Sequence, residues 1–207
     1  MSKKQISQPT SLIISEVADV YPGYQARGAL KHDPQGTYSL LQGKDLSSSQ
    51  KIFHDELLRL EPIGSANKYL VSFDDVLFQA RGYSNQAFHI EEIPERVLAA
   101  ATFYILKVRV SNLLPSYLAW FLNQRYAQNY FKTHANTSSA VSYVSKEVLI
   151  NLEIFIPALE TQAKIQSIQS AWAHEKNLMK VYLEKKEILI QESCLNALSH
   201  PIKEKRR

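Results

Sequence analysis

Side chains that can donate and accept hydrogen bonds crowd the segment KTHANTSSAVSYVSKEVL, which begins at Lys132. The candidate binding residues in this segment are Lys132, His134, Asn136, Ser138 and Tyr143. Residues 97–146, which include most of it, contain Lys and Arg but no Asp or Glu. A loop of this composition suits hydrogen bonding to phosphates and to base edges. The pattern indicates a surface for a polyanion, although chance segregation of charges also produces such segments.

The cations of this acid-free segment could together form a positive face. They are Lys107, Arg109, Arg125, Lys132 and Lys146. The overall charge of +4 is less informative, because residues 201–207 alone hold four basic residues and one acidic residue. Net charge by itself therefore selects no partner.

No catalytic constellation is visible in the sequence. The six histidines are scattered, and the chain lacks GxGxxG, a P-loop lysine motif and HExxH. Asp74 and Asp75 are adjacent, and neighbours on a strand point to opposite faces, so we expect them to flank a turn. Cys194 is the single cysteine, which excludes an internal disulfide framework and a cysteine-rich zinc site. We therefore predict no catalytic residue, no metal and no cofactor; an enzyme with an unrecognised site is the alternative.

Two regions of different periodicity must position the candidate residues. Up to Pro157, short β-type runs alternate with turns; they are KYLVSF, VLFQAR, NLEIFIP and the longer RVLAAATFYILKVRV. The segment SNLLPSYLAWFLNQRYAQNYFKT predicts an amphipathic helix that starts at Pro115 and places most of its aromatic residues in the core. The fold class that follows is α+β, with a mixed α/β domain followed by a long C-terminal coiled-coil helix.

Residues 158–198 contain no glycine and no proline, which predicts one long helix. About 40 residues at about 1.5 Å each give a length of about 60 Å. A 3–4 spacing places an apolar stripe along this helix: Ile165, Ile168, Trp172, Met179, Tyr182 and Leu189, with Glu175 and Lys186 in the remaining slots. Such a stripe predicts dimerisation through a second copy. A helix folded back on its own domain is the alternative.

The expected organisation is a domain over residues 1–157, a long helix over 158–200 and a basic tail over 201–207. No apolar run reaches the roughly 20 residues that cross a bilayer. The N-terminal segment also lacks the pattern of a secretion signal. We therefore expect a cytoplasmic protein that has no membrane partner.

Four motifs occur in an order that resembles the DNA specificity subunit of type I restriction-modification systems. They are LLQGKDL (40–46), VSFDDVLFQARG (71–82), LLPSYLAWFLN (113–123) and FIPALETQAKI (155–165). In that family a target recognition domain precedes a long helix that begins after a Pro-x-x-x-x-Gln segment, here Pro157 to Gln162. The family's usual subunit carries two such domains and two long helices. This chain has one of each and so resembles a half-subunit.

The resemblance implies that the domain recognises double-stranded DNA and that the helices set the distance between the two half-sites of a bipartite target. Within the matched motifs the candidate DNA-binding residues are Gln42, Lys44, Gln79, Arg81 and Tyr83. Arg81 and Lys44 are the strongest, because arginine or lysine bound to guanine is the commonest specific base contact. Each could instead be solvated, or paired with Asp45 or Asp74.

The partners that the resemblance implies are a methyltransferase (modification) subunit, a restriction or translocase subunit, and a second copy or another half-subunit. In that family the methyltransferase carries S-adenosylmethionine and the catalytic chemistry, so this chain needs no cofactor of its own. The alternative is a coiled-coil assembly protein whose globular head binds another protein.

Overall fold

A computed structural model describes residues 10–26, 28–46, 57–82, 84–135 and 142–199. The chain divides into two compact units, Met1–Gln166 and Ser167–Arg207. The first unit mixes sheets and helices, and a long helix closes the described chain, as the α+β prediction requires.

The strands belong to the first unit and are short. They are β1 (Thr10–Ile13), β2 (Ala18–Pro22), β3 (Tyr38–Leu41), β4 (Leu58–Leu60), β5 (Val76–Gln79), β6 (Arg81–Gly82), β7 (Ala87–His89), β8 (Val97–Ala99), β9 (Phe103–Val108), β10 (Ser142–Tyr143) and β11 (Glu153–Ile156). The helices are α1 (Ile14–Val17), α2 (Pro115–Leu122), α3 (Arg125–His134), α4 (Lys146–Ile150) and α5 (Leu159–Ser199). Single turns of 3₁₀ helix occupy Gly43–Asp45 and Asn67–Tyr69.

A four-stranded antiparallel sheet with the order β2-β9-β5-β7 forms the centre of the first unit. A three-stranded sheet with the order β4-β3-β8 lies beside it; there β3 runs parallel to β8 and antiparallel to β4. Two further pairs, β1 with β11 and β6 with β10, are antiparallel.

Both faces of the four-stranded sheet are buried against hydrophobic cores. Side chains alternate along each strand, so neighbouring residues enter different cores. On β5, Val76 and Phe78 enter a core shared with the short helices, whereas Leu77 enters a second core. Leu41 of β3 lies in that second core, and its neighbour Leu40 lies in a third. The helices, the four-stranded sheet and the three-stranded sheet therefore form successive layers.

One predicted strand is absent, and the longest predicted β-type run is divided. KYLVSF forms a 3₁₀ turn and a single bridge at Leu70 rather than a strand. The reason lies in the adjacent turn, where the Ser72 backbone N–H donates to Asp75 Oδ2 at 2.7 Å. The long run RVLAAATFYILKVRV forms two strands, β8 and β9. A turn closed by the Phe103 N–H to Ala100 O bond, at 2.9 Å, separates them.

The segment 111–133 begins its helix at Pro115, as predicted, but it forms two helices rather than one. Asn123 lies at the break. Its side chain accepts from the Ala87 N–H at 2.9 Å and donates to Ala87 O at 2.7 Å. This tie to β7 ends α2, and α3 begins two residues later. Most aromatic residues of the segment lie in or against the first core, as expected.

The start of α5 is held by Gln162, which is fully buried. Gln162 Oε1 accepts from the Leu114 N–H at 2.9 Å, and Nε2 donates to Asn112 O and Pro157 O, each at 2.8 Å. The Pro157-to-Gln162 spacing thus has a physical cause, since one buried amide satisfies three backbone groups. The helix itself covers Leu159–Ser199, within one residue of the sequence prediction. In the described part of the chain no helix has the length and apolarity that a membrane crossing needs.

Candidate functional site

Arg81 and Tyr143 lie opposite each other in the antiparallel β6–β10 pair. Opposed side chains of such a pair share one face. The guanidinium carbon of Arg81 lies 4.6 Å from the centroid of the Tyr143 ring, within cation–π range. Arg81 is exposed and Tyr143 is half-buried. The ring therefore supports a cation that faces solvent.

Tyr143 is itself held from inside the domain. Its hydroxyl lies 3.0 Å from the hydroxyl of Tyr104, and either oxygen can be the donor. Tyr104 is buried on β9, in the central sheet. Burial, and then the hydrogen bond to Tyr143, raise the pKa of the Tyr104 phenol well above its ordinary value. The Tyr104 phenol therefore stays neutral at physiological pH.

The side-chain amide of Gln79 lies between two glycines. A Cβ added at Gly82 would lie 2.6 Å from Gln79 Nε2, and one added at Gly43 would lie 3.0 Å from it. Gly82 also has a φ of 149°, which favours glycine. Gln79 Nε2 donates to Arg81 O at 3.4 Å. The structure thus brings the motifs 40–46 and 71–82 together at this amide.

Asp45 shapes the turn that carries Gln42 and Lys44. Its carboxylate accepts from the Gln42 N–H at 2.8 Å, and its own N–H donates to Gln42 O at 3.0 Å. Gln42 is half-buried, whereas Lys44 is exposed. Lys44 forms no ion pair with any residue that the structure describes.

Asp74 does not pair with Arg81. It has a φ of 64°, and its Oδ1 lies 2.9 Å from Nε2 of buried His89. Asp75 caps the same turn through the Ser72 N–H, so the expectation that this acidic pair flanks a turn is confirmed. Across the described ranges of the chain, exposed Arg81 has no carboxylate partner.

Three side-chain amides that the sequence analysis missed hold the segment between β5 and β7. Asn85 Nδ2 donates to Gln79 O at 3.1 Å, and Gln128 Nε2 donates to Asn85 O at 2.8 Å. Asn123 makes the two bonds to Ala87 that end α2. These contacts join residues far apart in sequence, so no local pattern marks them. They tie Gln79 and Asn85, which lie on either side of Arg81 in the chain, to the helix layer.

Lys132 and His134 lie in the last turn of α3, and both are exposed. The His134 ring stacks on Tyr130 at 4.3 Å, and its Nδ1 lies 2.8 Å from Tyr130 O. A basic residue there complements the negative end of the helix dipole. Among the described residues, no contact joins Lys132 or His134 to Arg81 or Tyr143. Tyr83, Asn136 and Ser138 lie outside the described residues.

The predicted positive face is smaller than the sequence suggested. Lys107 Nζ lies 2.8 and 2.9 Å from the two carboxylate oxygens of Asp75, and Arg109 lies 3.7 Å from Asp19. The prediction was wrong for these two cations, because strand pairing sets carboxylates beside them. Arg125, Lys132 and Lys146 are exposed.

The second unit carries the apolar stripe of α5. Ile168, Trp172, Met179, Tyr182 and Leu189 are each at least half exposed, from 50% at Trp172 to 66% at Leu189. Ile165 precedes this unit and packs against the first core. Large apolar side chains exposed in a row mark an interaction surface.

No group of three or more His, Cys, Asp or Glu side chains that could hold a metal ion occurs among the residues described.

The family model described as "Type I restriction modification DNA specificity domain" matches residues 14–190. Among curated proteins no sequence matches significantly.

Solved structures share the fold. The type I restriction-modification S subunit from M. genitalium is 15% identical, with a TM-score of 0.59, over 93% of this chain and 46% of that chain. A structure described as the basis of complex assembly and conformational transition of the type I R-M system is 17% identical, with a TM-score of 0.58, over 95% and 46%. The HsdS subunit from Thermoanaerobacter tengcongensis is 18% identical, with a TM-score of 0.57, over 87% and 40%. This chain therefore spans about half the length of these structures or less.

Proposed function

Because the chain belongs to the type I restriction modification DNA specificity domain family, we propose that it is a sequence-specificity subunit of a type I restriction-modification system. Its first 157 residues act as the target recognition domain and bind a short DNA half-site in the major groove. The chemistry of methylation and cleavage belongs to partner subunits, a methyltransferase and a restriction or translocase subunit. A protein of this kind needs no cofactor of its own.

One observation carries the proposal: exposed Arg81 stacked on Tyr143, 4.6 Å away. A guanidinium held in one plane can donate two parallel hydrogen bonds to N7 and O6 of guanine. Gln79 lies two residues before Arg81. Its side-chain amide lies beside Gly43, in the turn that carries Lys44. We therefore propose that the edge formed by Lys44, Gln79, Arg81 and Tyr143 binds double-stranded DNA.

The test is selection of DNA from a randomised library by the full chain, with and without a methyltransferase subunit. Wild-type protein should enrich a defined sequence, and Arg81→Ala should lose the preference at one guanine position. Arg109→Ala is a matched control. Arg109 is also exposed and directly follows β9. It lies about 20 Å along that strand from Phe103, the residue that pairs with Gln79 near Arg81. A protein-binding head would enrich no sequence, which would favour the alternative of an assembly protein.

We further propose that this chain acts as a half-subunit. A single recognition domain recognises one half-site, so two copies, or this chain and another half, are needed for a bipartite target. The 41 residues of α5 span about 60 Å, more than the roughly 34–36 Å of one DNA turn. For a homodimer the target should be palindromic, with an unread spacer whose length is set by the helices.

The spacer gives a separate test of this half-subunit proposal. Changing its length by a few base pairs rotates one half-site away from its domain, since every added step turns the duplex. Binding or methylation should therefore fall sharply although every contacted base is intact. Equal activity on all spacer lengths would refute the spacing role of α5 and leave the recognition role standing.

A further inference from the structure

Two charged residues interrupt the apolar stripe of α5 in a regular way. Glu175 and Lys186 occupy slots of the same 3–4 series as Trp172, Met179, Tyr182 and Leu189, and both are exposed. Lys186 Nζ lies 5.7 Å from the centroid of the Tyr182 ring, so its ammonium lies along the stripe. A charge at such a slot becomes buried once a second helix covers the stripe. Burial without a partner is costly, so these two residues constrain what can cover the stripe.

We infer that α5 pairs with a second, antiparallel copy of itself in one register, in which Glu175 of each copy faces Lys186 of the other. This inference rests on the proposed half-subunit role, which needs either two copies or this chain and another half, and it commits to two copies. A two-fold interface is self-complementary, because a contact of residue i with residue j is matched by one of j with i. One acidic and one basic slot on the same helix therefore neutralise each other twice.

The remaining layers follow from equal and opposite steps along the two helices. Trp172 lies three residues before Glu175, and Leu189 lies three residues after Lys186, so Trp172 faces Leu189 of the second copy. Met179 lies four residues after Glu175, and Tyr182 lies four residues before Lys186, so these two also face each other. Further out, Ile168 faces Ser193. Every large apolar residue from Trp172 to Leu189 in the series thus meets another apolar side chain, and the two charges meet each other.

Other registers fail on charge. A shift by one heptad in one direction sets Glu175 against Met179 and Lys186 against Ile168. A shift in the other direction sets Glu175 against Ser193 and Lys186 against Tyr182. Each leaves both charges without an opposite charge, in both copies. A parallel in-register pair sets Glu175 against Glu175 and Lys186 against Lys186, which is repulsive. Only the antiparallel register proposed here neutralises all four charges.

The flanking positions agree with this register. Lys185 then lies near Leu178 of the second copy, and Lys176 lies near Leu183. Lysine stems cover apolar surface while their ammonium groups stay in water. No like charges oppose each other along these flanks. Polar residues at core slots are known to fix register and partner choice in coiled coils, and we assign that role to Glu175 and Lys186.

The experiment measures the dimer dissociation constant of the full chain by sedimentation equilibrium. Glu175→Lys places lysine opposite lysine twice, and Lys186→Glu places glutamate opposite glutamate twice. Each single variant should weaken the dimer about 100-fold or more. An equimolar mixture of the two variants should return to within about tenfold of wild type, because in the mixed dimer both contacts are Lys–Glu again.

Matched controls come from charged residues of the same helix that lie off the stripe. Lys180 and Glu184 form an exposed i,i+4 pair at 3.9 Å. Lys180→Glu and Glu184→Lys make the same charge changes and should leave the dissociation constant within about threefold of wild type. Circular dichroism of each variant reports whether α5 still forms. Recovery on mixing also excludes unfolding as the cause of the loss.

Three outcomes overturn the inference: a monomeric wild-type chain, single variants that behave like the controls, or a mixture that fails to recover. The first two leave DNA selection by the recognition domain untouched, and that selection is measured separately with the same proteins. A normal charge-dependent dimer that shows no DNA preference would instead reject the proposed function and keep this pairing.

Discussion

Arg81 and Tyr143, which are 62 residues apart in the chain, form a stacked pair across β6 and β10, with 4.6 Å between the guanidinium carbon and the ring centroid. The Tyr143 hydroxyl is bonded in turn to Tyr104, which is buried in the central sheet. The exposed cation is therefore oriented from the core outward. A cation that keeps one orientation loses less entropy when it binds a base edge.

Tyr104→Phe tests this arrangement, since it removes one hydroxyl and keeps the ring. We expect the free energy of unfolding to fall by about 1 kcal/mol, the net value of a hydrogen bond. DNA affinity should fall roughly threefold to tenfold, because Tyr143 loses the partner that orients it. In an Arg81→Ala background the same change should have little further effect on affinity. Full additivity of the two losses in a double-mutant cycle would show that Tyr104 does not act through Arg81.

Gly82→Ala should disturb the Gln79 amide as well as the backbone. Gly82 has a φ of 149° and a Cβ there would lie 2.6 Å from Gln79 Nε2. Gly64 has a φ of 81° with nothing within 4 Å of its added Cβ, so Gly64→Ala isolates the backbone effect. Both variants should lose about 1–3 kcal/mol of stability. Only Gly82→Ala should also weaken DNA binding, as measured by fluorescence anisotropy; equal binding by both variants would remove Gln79 from the interface.

Gln162→Ala should destabilise the first unit by about 2–4 kcal/mol, because it leaves three backbone groups without the amide that satisfies them. Gln166→Ala is the matched control one turn later. Gln166 is half-buried, and its side chain accepts a single bond from the Ser116 hydroxyl at 2.8 Å. That control should lose about 1 kcal/mol or less. Urea denaturation followed by circular dichroism measures both, and similar losses would contradict the proposed role of Gln162.

The burial of Asp75 predicts the direction in which folding stability changes with pH. Burial raises its pKa above 3.8, although Lys107 and the Ser72 N–H oppose that shift. Because the pKa of Asp75 is higher in the folded than in the unfolded state, its contribution to stability is fully present below the unfolded-state pKa. That contribution is lost as the pH rises through the folded-state pKa. Relative to Asp75→Asn, the wild-type protein should therefore gain stability as the pH falls towards 3.8. Denaturant titrations across the acidic range measure the difference; a constant difference would show that the pKa is not raised.

Lys132→Ala should weaken binding about equally for all DNA sequences. If Lys132 contacts a phosphate, the variant should also lower the slope of log affinity against log salt by about one. Lys31→Ala is the control, since Lys31 is also exposed and lies in a loop outside the acid-free segment. An unchanged salt slope for Lys132→Ala would exclude a phosphate contact by this residue.

Local features of the sequence are enough to predict the long helix, the start of α2 and the strands β5 and β11. Residues 158–198 lack glycine and proline, so nothing in α5 interrupts its backbone hydrogen bonds. Pro115 fixes a helical φ at a position that needs no N–H partner. These elements depend on neighbours within a few residues, and sequence patterns report such neighbours directly.

The candidate site depended on contacts between distant segments. Motifs and composition point to the side chains of Gln42, Lys44, Gln79, Arg81 and Tyr143. Nothing local indicates that Gln79 contacts Gly43 or that Arg81 stacks on Tyr143. The positive face was overestimated for the same reason. Lys107 lies in the acid-free segment, but the composition of that segment cannot show its ion pair with Asp75, which lies 32 residues earlier.

The sequence by itself therefore determined the α+β class, the long helix with its apolar stripe, and the family to which the chain is similar. The tertiary structure alone decided which cations face solvent, which are neutralised, and which side chains share the edge at β6 and β10. The physical reason is range. Helix and strand periodicity arises from the regular geometry of nearby residues, whereas the charge and hydrogen-bond state of a side chain depends on whatever the folded chain brings within about 4 Å of it.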